Sequence, residues 1–596
     1  MLRKLTSDTV KSLNLTDKFA LTPVLHFKTN KKVCPHCHTR LTVYRSDRRK
    51  IHLLDIGQCE AHRTFMHCRD CERVFESEDF EKRVPPCANV GYDVLVFTGQ
   101  LILCEHRTIK EAVLELKKRN VHISSSQVAY LAGKFIVYLS ILHLQSASRI
   151  RQRITDNGGY ILHVDGTCDG DSPHLISAID EVSHFVLANV KVPSESKDRL
   201  VPFLEQIKEQ YAIPLAVSSD MGRGLLNSIA EVFPGVPHFI CHFHFLRDIG
   251  KDLLEKEYAL IRKKLKSHKI SAKLRYRIGY EFGDKPQNIH VDQINQVLQS
   301  MAPINTHDNA AIEKLCHVLL LWALDGRKHG DGLGFPFDRP HAEFYRRLYL
   351  LWEQLDILQS KCTENKPLFK CVTRIIDDLT PLVNDMQCLT AYRGLVKKQS
   401  VFDNLRQALS IALPNKTIGL NDAGEDIDMG TIEKRVMLFK DNLIKVRGYH
   451  KSIAYQKLIR QIDKYWEKLF CDPIKVATTQ GDTFIQPQRT NNILEQFFRS
   501  MRRSYRRTTG NNSMRKKLQS IMADTPLVKN LENTEYLQLM LNGKGSLEEA
   551  FAEICQQDVI SKMKEAKKDE PKLPRNVLLL IRQKETMQKL LYLLAS

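Results

Sequence analysis

The chain has 596 residues, which is too long for a single hydrophobic core, so several domains are expected. Its hydrophobic share of 43% and charged share of 27% exclude a largely disordered chain. The formal net charge of +20 favours a polyanionic partner, although DNA, RNA, a ribosome or a membrane surface would each satisfy the charge.

Targeting signals are the next feature along the chain. The amino-terminal segment 1–30 lacks an apolar core of signal-peptide length. The longest apolar run, near Phe135–Leu144, is far shorter than the roughly 20 residues of a membrane span. Fifteen cysteines, an odd number scattered along the chain, are not typical of a disulfide framework. We therefore expect a cytoplasmic protein without a membrane partner, associated with the nucleoid if the source is bacterial.

Residues 31–90 are predicted to form a zinc-ribbon-like module. Two Cys-x-x-Cys pairs provide the ligands: Cys34 with Cys37, and Cys68 with Cys71. Four thiolates in a tetrahedron suit Zn²⁺, and the ion replaces the hydrophobic core that so short a segment cannot build. Nearby histidines remain alternatives for one of the ligands: His36, His38, His62 and His67.

Residues 91–150 have the pattern of a helix-turn-helix DNA-binding domain. Helical segments are predicted at Thr108–Arg119 and Ser124–Leu144, separated by a short turn. Ser125 and Gln127 lie near the start of the second segment, where their side chains would reach base edges.

Strand signals begin after residue 156 and define the first part of a core, 156–260. Strands are expected at Tyr160–Val164, His174–Ile179, His184–Val192, Pro214–Val217 and Pro237–Cys241, with helices at Leu200–Tyr211 and Leu225–Phe233. The resulting order β-β-β-α-β-α-β is that of an RNase H-like core, so the fold class is α+β and multidomain.

Two aspartates follow the first and fourth strands of this core. Asp165 and Asp220 would emerge side by side where two parallel strands end, which is where open sheets bind ligands. Phosphodiester chemistry with two divalent cations needs about three such carboxylates. Each aspartate alone would more often begin a turn or cap a helix.

Glu495 is the candidate for the third carboxylate. It lies on a helix with an apolar stripe that would pack on the core: Leu494, Phe498, Met501 and Tyr505. Two alternatives remain open: a capping box formed by Asn492 and Glu495, and an exposed ion pair with Arg499.

The segment Arg489–Lys517 carries nine basic residues against the single acid Glu495. So many positive charges without counter-charges predict contact with a polyanion. The arginines expected to contact DNA are Arg499, Arg502, Arg503, Arg506 and Arg507. This helix belongs to the second part of the core, 471–530, which follows an all-helical insertion at 261–470 and precedes a helical region at 531–596.

Several motifs occur in the order found in one family. Val164-Asp165-Gly166-Thr167 is followed by Asp220 and a helix ending in Phe233-Pro234-Gly235, then by Cys241-His242-Phe243-His244 and the later Thr-Asn-Asn-x-x-Glu that ends at Glu495. This series resembles the Mutator-like group of DDE transposases, and the front end resembles bacterial insertion-sequence transposases.

The resemblance implies movement of a DNA element, dependence on Mg²⁺ or Mn²⁺, and binding of terminal inverted repeats and target DNA. Cys241 and His244 match the family's Cys-x-x-His pair and are expected to have a structural role near the site. A homodimer or higher oligomer is expected because two element ends must be held at once. The competing hypotheses are a domesticated DNA-binding protein that no longer cleaves and another RNase H-like nuclease.

Overall fold

The computed structural model describes residues 22–283, 309–361, 365–413, 428–568 and 575–595. The described chain divides into two compact units, and each is described separately below. Unit 1 comprises Met1–His238 and Pro473–Ser596, and unit 2 comprises Phe239–Asp472. Both helices and mixed sheets are present, so the fold class is α+β.

Unit 1 opens with a small sheet that the sequence did not reveal. Its strands are β1 Val24–Lys28, β2 Thr42–Leu53, β3 Gly57–His67 and β4 Val74–Phe75. Strands β2 and β3 form a long antiparallel hairpin, while β1 runs parallel to β3. Alternate residues of β3 are buried against a compact core, which includes Leu25, Ile51 and Phe80.

Helices follow this sheet: α1 Glu78–Arg83, α2 Tyr92–Gly99, α3 Ile109–Lys118, α4 Ser125–Gln145 and α5 Ala147–Asp156, with a π-helical segment at Gln100–Cys104. Helix α3 begins with a capping box between Thr108 and Glu111, and Ser124 caps α4. The two predicted helical segments and their short connection are therefore confirmed.

Helix α4 is more apolar than the sequence analysis indicated. By length and composition it is the one helix of the described residues that would be able to cross a membrane, and 72% of its apolar window is buried inside the protein. Its apolar side chains, among them Phe135 and Leu139, belong to the main core of unit 1. The helix as a whole passes the criterion although its longest apolar run, near Phe135–Leu144, is shorter, and burial in the core accounts for the composition.

The second sheet contains four strands of unit 1, β5 Ile161–Thr167, β6 His174–Asp180, β7 Val186–Val192 and β8 Ala216–Ser219, and ends with β9 His238–Ile240, whose first residue is the last of this part of unit 1. Its spatial order is β7-β6-β5-β8-β9, with β5 antiparallel to β6 and parallel to β8. Helix α6, Lys197–Tyr211, connects β7 to β8, and α7, Arg223–Val232, connects β8 to β9. The predicted order of strands and helices is confirmed.

The chain returns to unit 1 after residue 472. A hairpin of β10 Ile474–Thr478 and β11 Gly481–Ile485 precedes the basic helix α17, Asn492–Thr509. Leu494 and Phe498 of α17 are buried in the same core as Val164, which confirms the predicted apolar stripe. The later elements are α18 Arg515–Ser520, a 3₁₀ segment at Thr525–Glu532, α19 Thr534–Leu541, α20 Leu547–Ala552, α21 Gln556–Lys568, α22 Arg575–Arg582 and α23 Lys584–Ala595.

From His242 onward the described part of unit 2 is helical, and it includes the described residues of 261–470, where an all-helical insertion was predicted. Its α-helices are α8 His242–Ser267, α9 Ile270–Arg277, α10 Asn309–Asp325, α11 Pro340–Lys361, α12 Lys366–Val383, α13 Met386–Leu409, α14 Met429–Lys445, α15 Ile453–Lys464 and α16 Trp466–Leu469. Short segments of other helical types lie at Ile278–Phe282, Gly326–Lys328 and Tyr449–Lys451.

Candidate active site

The two candidate aspartates lie on neighbouring parallel strands. The last paired residues of β5 and β8 are Val164 and Ser219, so Asp165 and Asp220 occupy the next position of the register. Neighbouring strands are separated by roughly 4.8 Å, which places the two aspartates side by side at the carboxyl end of β8.

Asp165 is almost completely buried, with 7% of its surface exposed. Its Oδ1 accepts a hydrogen bond from the backbone N–H of Gly166 at 2.7 Å. Burial raises the pKa of Asp165 well above its ordinary value of 3.8, and the negative charges of Asp220, Glu495 and Glu195 raise it further. Asp165 therefore interacts with each of the other three carboxylates.

Asp220 is half-buried at the end of β8. Its Oδ1 accepts a hydrogen bond from the backbone N–H of Gly222 at 2.9 Å, which orients the carboxylate over the turn that leads into α7. This is also the turn-forming arrangement that the sequence allowed as an alternative. The turn and the position beside Asp165 are compatible, because only one oxygen of Asp220 is used by the turn.

Glu495 lies half-buried in the first turn of α17. The helix begins at Asn492, its cap residue is Asn491, and the cap makes no side-chain bond to the helix. The capping-box alternative was therefore wrong, because Asn492 lies inside the helix and is not its cap. The negative charge of Glu495 instead raises the pKa of Asp165.

A buried hydrogen-bond network joins the start of α17 to β5. The side chain of Asn491 is fully buried; its Nδ2 donates to the Val164 carbonyl at 3.3 Å, and its Oδ1 lies 2.7 Å from Nδ1 of His163. The other ring nitrogen of His163 lies 2.8 Å from Oε2 of Glu181. Asn491 is thus fixed next to the residue that precedes Asp165, which accounts for the approach of Glu495 to the sheet.

The donor set around Asp165 suits hard divalent cations, which prefer carboxylate oxygens. Ser177 lies directly opposite Asp165 in the pairing of β5 with β6; it is fully buried, and its hydroxyl has no hydrogen-bond partner among the described residues. The three described acids do not bring their oxygens all within 4.8 Å of one another.

Glu195 also lies at this site, and the sequence analysis missed it. Its carboxylate raises the pKa of Asp165, and its Oε1 lies 2.8 Å from Nδ1 of His174. Glu195 precedes α6 in the connection from β7, so no strand end or helical spacing marks it in the sequence. Only the fold brings it to the acidic group.

The cysteines of the predicted zinc module form a second group in unit 1. All of their sulfur atoms lie within 4.8 Å of one another, and the members are Cys34, Cys37, Cys68 and Cys71. Sulfur atoms are 3.5 Å apart between Cys34 and Cys71 and 3.2 Å apart between Cys37 and Cys68. A zinc ion with Zn–S bonds of about 2.3 Å requires sulfur atoms about 3.8 Å apart, so the group fits Zn²⁺ after a small expansion.

Histidines of this module do not belong to the cysteine group. Nε2 of His62 lies 2.9 Å from Oε1 of Glu60.

Burial raises the pKa of Cys34, but hydrogen bonds from the backbone of Cys37 and His36 outweigh it, and the pKa falls to about 6. A thiolate is the form of cysteine that binds metal.

The predicted arginine face of α17 is exposed. Its members are Arg499, Arg502, Arg503, Arg506 and Arg507. Within the described residues none of them forms an ion pair, and Arg502 donates to Oγ1 of Thr167 at 3.1 Å. Thr167 is two residues beyond Asp165 on β5, so the arginine face adjoins the acidic group.

Two other basic residues of this segment are not exposed: Arg489 is buried and Lys517 is half-buried, which the charge pattern did not predict. Arg489 is 8% exposed, and burial lowers its pKa to about 10. Burial also lowers the pKa of Lys517. These two residues are therefore not part of the exposed basic face.

The remaining predicted site residues lie at the starts of α4 and α8. Ser125 is exposed and Gln127 half-buried in the first turn of α4, where the backbone N–H of Gln127 donates to Oγ of Ser124. Cys241 and His244 belong to unit 2, at the start of α8; Cys241 is buried and His244 is half-buried. Burial, together with the charges of Arg247 and Lys251, lowers the pKa of His244 to about 4, so its ring is neutral at physiological pH.

Comparison of the chain with models of known protein families and with curated proteins finds no match.

Proposed function

We propose that this chain is a DNA transposase in which Asp165, Asp220 and Glu495 hold two divalent cations that act on phosphodiester bonds. The proposal is supported by the adjacent positions of Asp165 and Asp220 after two parallel strands and by the electrostatic effect of Glu495 on Asp165. Concentrated negative charge next to an exposed arginine face suits cations that bind DNA phosphates.

The arrangement of the site suggests a role for each acid. Asp165 interacts with both other members of the triad, so it is the acid that would bridge the two ions. Asp220 and Glu495 would supply the other carboxylate ligands. Bound Mg²⁺ or Mn²⁺ would activate the attacking oxygen and stabilise the leaving oxygen.

The other parts of unit 1 suit the handling of double-stranded DNA. The five exposed arginines of α17 would bind phosphates beside the site, and α3 with α4 would act as the helix-turn-helix, with Ser125 and Gln127 near the bases. The cysteine group would hold a structural Zn²⁺. The order of strands and helices in the second sheet supports an RNase H-like core for the same proposal.

The biological setting is part of the proposal. The DNA substrates would be terminal inverted repeats and target DNA, and a homodimer or higher oligomer would hold two ends together. The protein would act in the cytoplasm, at the nucleoid if the source is bacterial. Cys241 and His244 would have a structural role.

A strand-transfer assay with labelled element ends and Mg²⁺ tests the proposal. Joining should fall by at least about a hundredfold in each of three variants, Asp165→Asn, Asp220→Asn and Glu495→Gln. Loss of a direct metal ligand lowers activity more than loss of a residue that only hydrogen-bonds to a ligand. Asp198→Asn, an exposed acid in the first turn of α6, is the matched control and should join DNA normally.

The outcomes of this assay separate the competing functions. Triad variants that join DNA as well as the wild type would exclude these acids as the site. A wild-type protein that binds DNA with either metal but neither cuts nor joins it would be a DNA-binding protein without cleavage activity. Cleavage without joining, at sites unrelated to element ends, would indicate another nuclease of RNase H-like fold.

A further inference from the structure

Glu195 occupies a space that glycines leave open beside the candidate triad. A Cβ atom at Gly166 would lie 2.5 Å from Oε1 of Glu195, and a Cβ atom at Gly224 would lie 1.7 Å from its backbone oxygen. Any larger residue at either position would displace Glu195. Glycine at these positions therefore permits the close approach of Glu195 to β5 and to the start of α7.

The Glu195 carboxylate faces the same region as Asp220. A Cβ atom built on Gly222 would lie 3.1 Å from Oδ1 of Asp220 and 3.8 Å from Oε2 of Glu195, so the two oxygens flank one small space. Oε1 of Glu195 is held by His174, whereas Oε2 has no hydrogen-bond partner among the described residues. One oxygen is thus fixed and the other is available to a ligand.

The buried hydroxyl of Ser177 is an independent observation at the same site. It lies opposite Asp165 in the strand pairing and lacks a hydrogen-bond partner in the described structure, although it is fully buried. A buried hydroxyl without a partner is costly unless a bound ion or its water satisfies it. The neighbourhood of Asp165 therefore suits a hydrated cation and not only a cluster of acids.

We propose that Glu195 is a fourth carboxylate ligand of the cation pair, bound through Oε2 while His174 orients it through Oε1. This inference rests on the proposed function, because it places Glu195 on the same ions as the triad. Four carboxylates would balance the charge of two divalent cations, which the triad alone would not. His174 would be a positioning residue, since it acts only through Glu195.

Binding of Mn²⁺ to the full chain, measured by calorimetric titration and by the loss of the free-ion paramagnetic resonance signal, tests the proposal without DNA. Glu195→Gln keeps the shape of the side chain and should weaken binding by about tenfold or more. His174→Gln should weaken it less. Glu205→Gln, an exposed acid on α6 with an ion-pair distance of 4.0 Å to Lys208, should bind as the wild type does.

Asp165→Asn separates failure of this inference from failure of the proposed function. If Asp165→Asn weakens Mn²⁺ binding and Glu195→Gln does not, Glu195 is not a ligand and the triad stands. If neither variant weakens Mn²⁺ binding, both this inference and the proposed function fail. With bound zinc retained, the Glu195 and His174 variants should melt close to the wild type and Asp165→Asn no lower than it, which excludes misfolding as the cause of a lower affinity.

Discussion

Asp165 is nearly buried and interacts with three other carboxylates, so its charge is costly in the folded chain. Its folded pKa is raised above the ordinary value of 3.8, so the folded state holds a proton more tightly than the unfolded state. The stability that this group contributes is therefore complete below the ordinary value and is lost as the pH rises through the raised pKa.

Asp165→Asn should consequently stabilise the chain at neutral pH when no divalent cation is added. The gain is expected because the amide of the variant has no charge to bury beside the neighbouring carboxylates. Melting curves at neutral and at mildly acidic pH measure it, and the advantage of the variant should shrink in acid. A variant that melts at or below the wild-type temperature at neutral pH would contradict this reading of Asp165.

Sequence reasoning found the residues that mark the ends of regular elements. Asp165 and Asp220 were predictable because apolar runs end at them, and Glu495 because it heads an amphipathic helix. Glu195 was not predictable, since its neighbours are brought to it by glycines remote in sequence. Burial of Arg489 was missed because a charge pattern does not show which side chains the fold encloses.

At the scale of elements, the attachment of α17 to β5 determines where Glu495 lies. Asn491→Ala would remove the bonds to His163 and the Val164 carbonyl and leave buried polar groups without partners. We expect a loss of about 1–3 kcal/mol in stability, measured as a lower denaturation midpoint, and weaker strand transfer. The same substitution at the half-buried neighbour Asn492 should change stability by less than about 0.5 kcal/mol. Equal effects at both positions would contradict the role given to Asn491.

The cysteine group yields an independent prediction for the amino-terminal sheet. Cys68→Ser should abolish binding of about one zinc ion per chain and unfold the loops that carry Cys34 and Cys71, because the ion replaces a core there. Cys87→Ser, at an exposed thiol outside the group, should keep the metal. Metal content measured by mass spectrometry decides; zinc retained in full by Cys68→Ser would contradict the assignment.

Elements with strong periodicity were predicted well, and those without it were not. The strands and helices of the second sheet were located to within a few residues, because apolar runs alternate with turn residues. The hairpin of β2 and β3 was missed, since exposed and charged residues fill much of β2. Its strands are held by pairing with each other and by the core around Ile51, which no local pattern reveals.

For the whole molecule, the net charge of +20 has a measurable consequence if DNA is the partner. Each phosphate contact that is lost should reduce the slope of log affinity against log salt by about 0.9. Replacing Arg503 and Arg506 together by Gln should therefore lower the slope by about two, measured by titrating labelled DNA at several salt concentrations. Lys544→Gln, which removes a charge already paired with Glu553 at 2.8 Å, should leave the slope nearly unchanged. An unchanged slope in the double variant would exclude these arginines as phosphate contacts.

The segments that carry the candidate acids lie on both sides of unit 2 in sequence and within one unit of the fold. The most direct measurement is therefore anomalous diffraction from crystals of the chain grown with Mn²⁺. We expect one or two manganese peaks within about 2.5 Å of carboxylate oxygens of Asp165, Asp220 and Glu495. Manganese bound elsewhere, or only at the cysteine group, with no peak at these three acids would contradict the account.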